Sequence, residues 1–580
     1  MARRNEEVAA LLANIAKLLA VKGEDPYRIR AYEEAAQVIS AASEDIEELH
    51  RAGRLRTLRG VGESIAAKVA EYLDTGRSSY YEELKREVPM PATELLEITG
   101  IGPARAHLLY ERLGITSIAE LERAAREHRL RALPGFGETL EKRIAREAAR
   151  VAQRTRRLLL GVALPAAEEV VHWLSGHPAV REVHPVGSIR RWRETIGDID
   201  ILVSADAPAA VMAAFTSLPL VKEVLAKGPT RASILTRDDL QIDLRAIQPD
   251  EYGSALQYFT GSKEHNIALR TVALDRGWKL SEYGLFDREG RRIAGRTEEE
   301  IYHALDMDPM PPELRENRGE IEAAQQHRLP SLVELDDVRG DLHVHTDWSD
   351  GHDAAERMVE SAIARGYQYL AFTDHSRSLG VARGLTIERL REQRRLIERL
   401  NARYAPFRVL HGAEVDILPS GELDYPAEVL AELDIVTASV HSHFGQPGER
   451  MTARIIQALR NPYVDTLNHP TGRLLLRRPE YEVDVEAVLQ AAAEHGVALE
   501  VNGQPDRLDL NDLWARRATE LGVLLVLNSD AHSTRQLANL RYAVATARRG
   551  WVEPRHVLNT LPLKRLLLHL RRRRKRATAA

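Results

Sequence analysis

The 580-residue chain contains no cysteine, which excludes disulfides and thiolate metal sites, so any zinc must be held by His, Asp and Glu. It also lacks any apolar run of the roughly 18–20 residues a membrane helix needs. Its opening, MARRNEEVAALLANIAKLLA, is broken by charge and shows no signal-peptide cleavage pattern. A cytosolic protein with no membrane association is expected. Lysine is scarce beside arginine, so a lysine kept at a motif position is informative. A net charge of −5 looks wrong for a nucleic-acid binder, but carboxylates that carry divalent cations are counted as negative in that sum. Net charge therefore selects no partner. The length and the 44% hydrophobic content allow several cores, in about three to five domains.

What is present begins with helices. The first 155 residues carry helical apolar spacing, as in NEEVAALLANIAKLLAV and DPYRIRAYEEAAQVISAA. The pattern breaks three times at a Gly-x-Gly set among apolar residues: LRGVGESIAAKV (58–69), ITGIGPARAHLL (98–109) and LPGFGETLEKRI (133–144). The pairs Gly60 and Gly62, Gly100 and Gly102, and Gly135 and Gly137 permit tight turns. The helix after each turn aims free N–H groups outward, which suits a phosphate oxygen. One such turn would be an ordinary helix connection. Three in one frame resemble helix-hairpin-helix motifs, which hold the DNA backbone without reading sequence. Lys68 lies one turn after Ser64; its amine can attack an abasic sugar aldehyde as a Schiff-base nucleophile or simply contact phosphate.

Strand patterns follow. In IGDIDILV, Asp198 and Asp200 are two residues apart, so on a strand both leave one face, where they repel unless cations lie between them. Asp243, in LQIDLRAI, is the third candidate. Three carboxylates from adjacent strands suit two Mg²⁺ about 3.5–4 Å apart, the arrangement of nucleotidyl transfer. Upstream, GSIRR offers Gly187 for close backbone approach, the Ser188 hydroxyl, and Arg191 as a forked partner for triphosphate. YFTGSKEHNIALR (258–270) places Tyr258 and Phe259 beside a turn at Gly261, then Asn266 and Arg270 on one helical face, consistent with a nucleotide pocket.

On these motifs and their order, residues 1–316 resemble a family X DNA polymerase, related to DNA polymerase beta. The resemblance implies a metal triad of Asp198, Asp200 and Asp243, with Asp243 also helping to deprotonate the primer 3′-OH. It implies triphosphate contacts at Ser188, Arg191 and Gly197, a sugar-discriminating pair in Tyr258 and Phe259, and minor-groove contacts from Asn266 and Arg270. It also implies a lyase nucleophile in Lys68, beside a phosphate pocket of Arg28, Tyr32 and Arg56. Two positions depart from the family pattern: Ser64 replaces a lysine, and Gln241 replaces a basic residue beside Asp243.

From Arg339 onward, apolar strands alternate with amphipathic helices, and chemistry collects at strand ends: DLHVH, YLAFTDH, VLHGAEVD, IVTASVHSH, VDTLNHP, ALEVNG and VLLVLNSDAH. That is the logic of a β/α barrel. His343, His345, Asp350, His375, Glu414, His441, His469, Asp530 and His532 would be costly to bury unless metals pair them. Asp341, Asp347, His352, His443 and His569 are read as ordinary core or surface residues. The set resembles the polymerase and histidinol phosphatase (PHP) domain. That resemblance implies up to three Zn²⁺ or Mn²⁺ ions: one on His343, His345, Glu414 and Asp530, a second on Glu414, His441 and His469, and a third on Asp350, His375 and His532.

The expected architecture is multidomain, α and α/β. Residues 1–88 form a helical lyase-like domain, 89–155 a second helix-hairpin-helix subdomain, and 156–246 a nucleotidyltransferase palm of mixed α+β type. Residues 247–316 form a nucleotide-selection subdomain, 317–338 a linker, and 339–575 a distorted (β/α)7-type PHP barrel. The implied function is a monomeric DNA repair polymerase of base excision repair. It acts on gapped or nicked DNA with deoxynucleoside triphosphates, and its PHP domain supplies 3′–5′ exonuclease, abasic-site endonuclease or 3′-end phosphatase activity. A small-molecule phosphatase and a non-catalytic DNA scaffold are the alternatives; repeated DNA-backbone grips argue against the first and two complete ligand sets against the second. The basic run Arg572–Arg576 is read as a solvated tail or a DNA contact.

Overall fold

The computed structural model describes residues 2–40, 46–58, 60–88, 90–98, 101–155 and 157–579. The chain divides into two compact units at residue 157.

The first unit is helical. Helices Ala2–Lys22, Pro26–Ser40, Ile46–Arg51, Glu63–Thr75, Ser79–Glu87, Pro103–Leu113, Ile118–Arg126 and Glu138–Thr155 enclose one core. The first helix buries Val8, Leu12, Ile15 and Leu19 along one stripe, against Ile39, Leu49, Val69 and Leu109. The three-to-four-residue recurrence of those apolar positions is what makes the segment a core helix.

The second unit opens with a five-stranded sheet in the order Val180–Pro185, Ile199–Ala205, Gln241–Ile247, Arg231–Thr236 and Val221–Lys227. Strands Ile199–Ala205 and Gln241–Ile247 run parallel with Asp200 opposite Asp243. Alternate residues Ile199, Ile201 and Val203 face the core, which leaves Asp200 on the other side. Helices Tyr252–Thr260 and Lys263–Asp275 and a three-stranded sheet, Lys279–Ser281, Gly284–Phe286 and Arg292–Ala294, follow.

A buried ion trio ties this region together. Arg190 donates to Glu298 at 2.8 and 2.6 Å, and Arg315 donates to the same carboxylate at 2.5 Å. Burial alone would raise the Glu298 pKa, yet Arg315 and Arg190 draw it down to about 2. Its contribution to stability is therefore complete above the ordinary glutamate range and is lost only as the pH falls towards 2. Glu298→Gln leaves the buried Arg315 guanidinium and the half-buried Arg190 without their counter-charge and is expected to cost about 3 kcal/mol. A lowered urea midpoint at neutral pH would report it, and an unchanged midpoint would contradict it.

Residues 317–338, expected as a linker, contribute to two cores. Ile321 and Ala324, on the helix Glu320–Gln325, pack with Leu269, Ala273 and Ile301, whereas Val333 packs into the barrel. The buried Glu320 carboxylate lies 2.8 Å from His265 Nδ1.

Seven parallel strands follow in sequence order: Gly340–Val344, Tyr369–Phe372, Arg408–Asp416, Ile435–Ser439, Thr466–Leu467, Ala498–Asn502 and Leu525–Asn528. Val344 bridges Ala531, and His345 N–H donates to Ala531 O at 2.9 Å, which brings the first and last strands together. The result is the expected seven-stranded barrel, nearly closed. Leu566 and Leu570 of the C-terminal helix Leu563–Ala579 pack against the inward-facing Leu342, Ala371, Leu410 and Val526. The basic run is thus partly recruited into the fold: Arg573 and Arg574 both bind the buried Asp465 carboxylate. No described helix is long and apolar enough to cross a membrane.

The sheet and the barrel share packing. Leu508 and Tyr542 of the barrel join the apolar core of the five-stranded sheet, and Trp192 meets Tyr542 edge to face at 6.1 Å.

Candidate active sites

In each hairpin of the first unit the residue between the glycines is buried (Val61, Ile101, Phe136), while Gly60, Gly62, Gly102, Gly135 and Gly137 are exposed. Gly100 lies outside the described residues. Gly62 and Gly102 cap the helices Glu63–Thr75 and Pro103–Leu113. A Cβ at Gly62, Gly102 or Gly137 would meet nothing within 4 Å, so packing inside the unit does not require glycine there. The open space beside these helix N-termini leaves room for close approach of an external backbone.

Lys68 Nζ donates to Ser64 Oγ at 2.9 Å and sits 4.8 Å from the Tyr80 ring centre. Arg28 donates to the Tyr80 hydroxyl at 2.7 Å, and the buried Tyr32 stacks on Tyr80 at 6.4 Å. Burial and then the Arg28 charge lower the Lys68 pKa, which favours the neutral amine. Arg56 is exposed. Tyr80, which the sequence reading missed, is the centre of this cluster; the only signal for it is the exposed-looking pair Tyr80-Tyr81.

In the sheet, Asp198 precedes the strand by one residue, and Asp200 and Asp243 face each other on adjacent strands. Burial, then the Asp243 and Asp198 charges, push the Asp200 carboxyl up to about 6. The three carboxylates repel one another, and a cation would relieve the repulsion. Gln241, which stands where the family pattern has a basic residue, donates its amide to Asp243 at 3.1 Å. Gly187 has φ +66°, and a Cβ there would lie 3.8 Å from Asp200 Oδ2 and 3.9 Å from Phe259 O. This glycine thus places the Ser188 turn against both the aspartates and the aromatic pair. Tyr258 and Phe259 meet edge to face at 5.2 Å, with Arg245 4.5 Å over the Phe259 ring. Gly261, at φ +68°, passes Arg191, which donates to Thr260 O. Gly197 is half-buried beside Arg157. Asn266 is buried: its amide donates to Tyr258 O at 2.7 Å and accepts from Gln257 at 2.8 Å. Arg270 is half-buried and donates to Asn266 O at 3.2 Å. Asn266 therefore buttresses Tyr258, and Arg270 is the more open of the two.

All nine barrel candidates meet at the C-terminal ends of the strands. His343 Nε2 and His345 Nε2 are 3.1 Å apart, and Asp530 Oδ1 lies 3.4 and 3.3 Å from them. Tetrahedral ligands on bonds of about 2.0–2.1 Å would be separated by about 3.4 Å, so these edges suit one small cation. Glu414 Oε2 reaches the same two nitrogens at 3.4 and 3.5 Å, and its Oε1 lies 3.3 Å from His441 Nε2 and 2.8 Å from His469 Nε2. Asp350 Oδ2 lies 3.4 Å from both His375 Nε2 and His532 Nε2. The grouping departs from the expected sets in sharing: His345 also joins Asp350, His375 and His532, and His375 also joins Glu414 and His441. Among the described residues the buried Nδ1 atoms of His345 and His375 have no well-aligned hydrogen bond, although His375 Nδ1 lies 3.0 Å from Glu414 Oε2; a metal would satisfy both atoms. Asp350 and His532 are the most open members, which sets the mouth of the site on their side.

Several orienting residues were not foreseen. Glu500 is fully buried, accepts from His469 N–H at 2.8 Å and lies 2.7 Å from His343 Nδ1, while Asn528 donates to it at 2.9 Å. Asp416 holds His441 Nδ1, and Asp341 accepts from the His343 and Ser529 N–H groups. Such partners fix imidazole orientation and tautomer. Their signal was carboxylates inside the apolar runs ALEVNG and VLHGAEVD.

The match to known proteins follows this layout. Over 570 residues the chain is 38% identical to the DNA polymerase/3′-5′ exonuclease PolX of Bacillus subtilis (strain 168), taking in 98% of this chain and 99% of that protein. This chain belongs to the PolX family. Family models for a helix-hairpin-helix domain (3–78), a SAM-like helix-hairpin-helix tandem (92–150), a DNA polymerase beta thumb (255–316) and a PHP domain (341–504) match in turn. Probable phosphatases of Thermoanaerobacter sp. (strain X514) and Edwardsiella ictaluri (strain 93-146) are 34% and 30% identical over 38% and 40% of this chain. These matches are confined to the PHP part, so a phosphatase alone does not account for this PolX chain. PolX membership and the donor sets imply divalent metal ions, DNA and nucleotide substrates.

Proposed function

We propose that the chain is a DNA-directed DNA polymerase that fills short gaps in base excision repair, and that its PHP barrel removes nucleotides or blocking groups from 3′ ends. The observation that carries this reading is the convergence of Asp198, Asp200 and Asp243 beside the Gly187 turn, on the same chain as a nine-residue imidazole and carboxylate cluster. Asp198, Asp200 and Asp243 would hold two Mg²⁺, which supply charge neutralisation at the triphosphate and activation of the 3′-OH. Ser188, Gly197 and Arg191 receive the triphosphate, Tyr258 and Phe259 wall the sugar, and Arg270 reaches the minor groove. Asp243 is the carboxylate that helps take up the 3′-OH proton.

In the barrel, His343, His345, Asp350, His375, Glu414, His441, His469, Asp530 and His532 would hold up to three Zn²⁺ or Mn²⁺, which supply hydroxide and a phosphate clamp. Glu500 and Asp416 keep His343 and His441 aligned. The protein works as a monomer in the cytoplasm, and the exposed hairpin glycines grip the DNA backbone. Primer extension on one-nucleotide and longer gaps, beside an open template, tests the substrate. Gap filling predicts preference for the short gap, and equal rates on all three would refute it.

Lys68, lowered in pKa and lodged between Ser64 and Tyr80, is the candidate lyase nucleophile. Borohydride trapping on a 5′ abasic end should give a covalent adduct that Lys68→Ala reduces by about 100-fold or more. An adduct of equal yield in the variant would leave Lys68 a phosphate contact.

A further inference from the structure

The loop that presents Arg191 is held by the barrel. Arg191 Nε donates to Glu316 Oε1 at 3.1 Å. Glu316 is shared: Arg549 Nη1 donates to the same oxygen at 3.1 Å, and Arg193 lies 3.7 Å from the other. Arg549 is the last residue of the barrel helix Leu540–Arg549, and its side chain is 5% exposed. It donates to Arg191 O at 2.6 Å and to Asp512 Oδ2 at 2.7 Å, and Asp512 is held in turn by Arg318 at 2.9 Å. A single guanidinium from the barrel thus binds both the backbone of Arg191 and the carboxylate that holds the Arg191 side chain.

We propose that Arg549 is a positioning residue for nucleotide incorporation: it fixes the backbone of Arg191 and keeps Glu316 paired when Arg191 turns to a triphosphate. The proposal rests on the reading of Arg191 as a triphosphate contact. An incoming triphosphate brings several negative charges to Arg191, which must then share or leave Glu316. A largely buried carboxylate stranded without its partner is costly and would compete for Arg191. With Arg549 and Arg193 in place, Glu316 keeps cationic partners throughout, so the exchange is cheap. The bond to Arg191 O acts separately, by holding the end of the short helix Gly187–Arg190 against the barrel. None of the hydrogen-bond partners of Arg549 belongs to the imidazole cluster, so the effect should fall on the polymerase and spare the nuclease.

The test uses the full-length protein on gapped DNA, with steady-state single-nucleotide incorporation and nuclease rates measured side by side. Arg549→Gln should raise the KM for nucleotide by about 5- to 20-fold, a usual size for coupling between sites. The kcat and the nuclease rate should stay within about twofold. Arg549→Lys should recover part of the KM, and in a Glu316→Gln background Arg549→Gln should raise it by less than in wild type, because of its two holds on Arg191 only the bond to Arg191 O is then left to lose. Arg541→Gln breaks an exposed pair between the barrel and Glu168 of the helix Leu160–Ser175 and should leave the KM unchanged. If Arg541→Gln raises the KM equally, or Arg549→Gln slows the nuclease as much as the polymerase, the effect is a loosened interface and the proposal fails. Arg191→Gln separates the two layers. A raised KM there with an unchanged KM in Arg549→Gln overturns the inference alone, and an unchanged KM in both overturns the reading of Arg191. If Arg549→Gln does not fold, Arg549→Lys carries the comparison, with a KM equal to wild type counting against the proposal.

Discussion

Asp200→Asn is expected to lower nucleotide incorporation by about 10³-fold or more while leaving the nuclease rate unchanged. Asp200 is the central carboxylate of its set, directly opposite Asp243 and next to the Gly187 turn. Asparagine keeps its shape and removes the charge that a cation would bridge. The same substitution should not harm the metal-free fold. Burial and the neighbouring aspartates raise the Asp200 pKa to about 6, so its ionisation is a penalty to the folded chain that grows as the pH rises and is complete above about 6. Removing that charge should leave thermal stability equal or higher at neutral pH. Loss of incorporation with retained melting temperature would separate catalysis from folding, whereas incorporation within tenfold of wild type would remove Asp200 from the reaction.

Glu414→Gln should produce the opposite pattern: nuclease activity down by about 10³-fold, bound metal reduced, and incorporation unchanged. No other barrel residue reaches as many candidates, since Glu414 approaches His343, His345, His375, His441 and His469 within 3.5 Å. Its carboxylate is held far below the usual range against the effect of burial, because His343, His441 and His375 surround it. The glutamine amide offers one neutral oxygen where two charged ones stood. Metal content by elemental analysis, taken with the nuclease rate, checks the prediction. Full activity with a full metal complement would show that the cluster does not depend on this residue.

Much of this layout was readable from residue patterns, and the reasons differ by region. The barrel strands announced themselves because each combines an apolar run with a polar residue at its end, and parallel strands buried on both faces read as continuous hydrophobic runs. His343 and His345, and Asp530 and His532, followed from two-residue spacing. Asp200 and Asp243 were separable candidates in sequence; their facing register depends on strand pairing, which spacing along one strand cannot supply. Tyr80 at Lys68 and Glu500 at His343 were missed for the same reason, since their partners lie 12 and 157 residues away. The segment 317–338 looked like a linker because the prolines clustered just before it and its own mixed charges mask the apolar contribution of Ile321 and Ala324, which acquires meaning only against the core of Leu269 and Ile301. Asn266, four residues from Arg270 and assigned the same contact, turned inward because the Tyr258 carbonyl lies within its reach.

On the proposed reading, one chain carries two independent metal-dependent centres, one that adds a nucleotide to a 3′ end and one that removes it. A labelled primer with a mismatched 3′ terminus, in a gapped duplex with nucleotides and Mg²⁺ or Mn²⁺, tests it in a single gel. Wild type should trim and then extend, Asp200→Asn should only shorten the primer, and Glu414→Gln should leave it untrimmed while still extending a matched primer. Loss of shortening on the mismatched primer together with loss of extension on a matched primer, from either substitution alone, would contradict two separate centres.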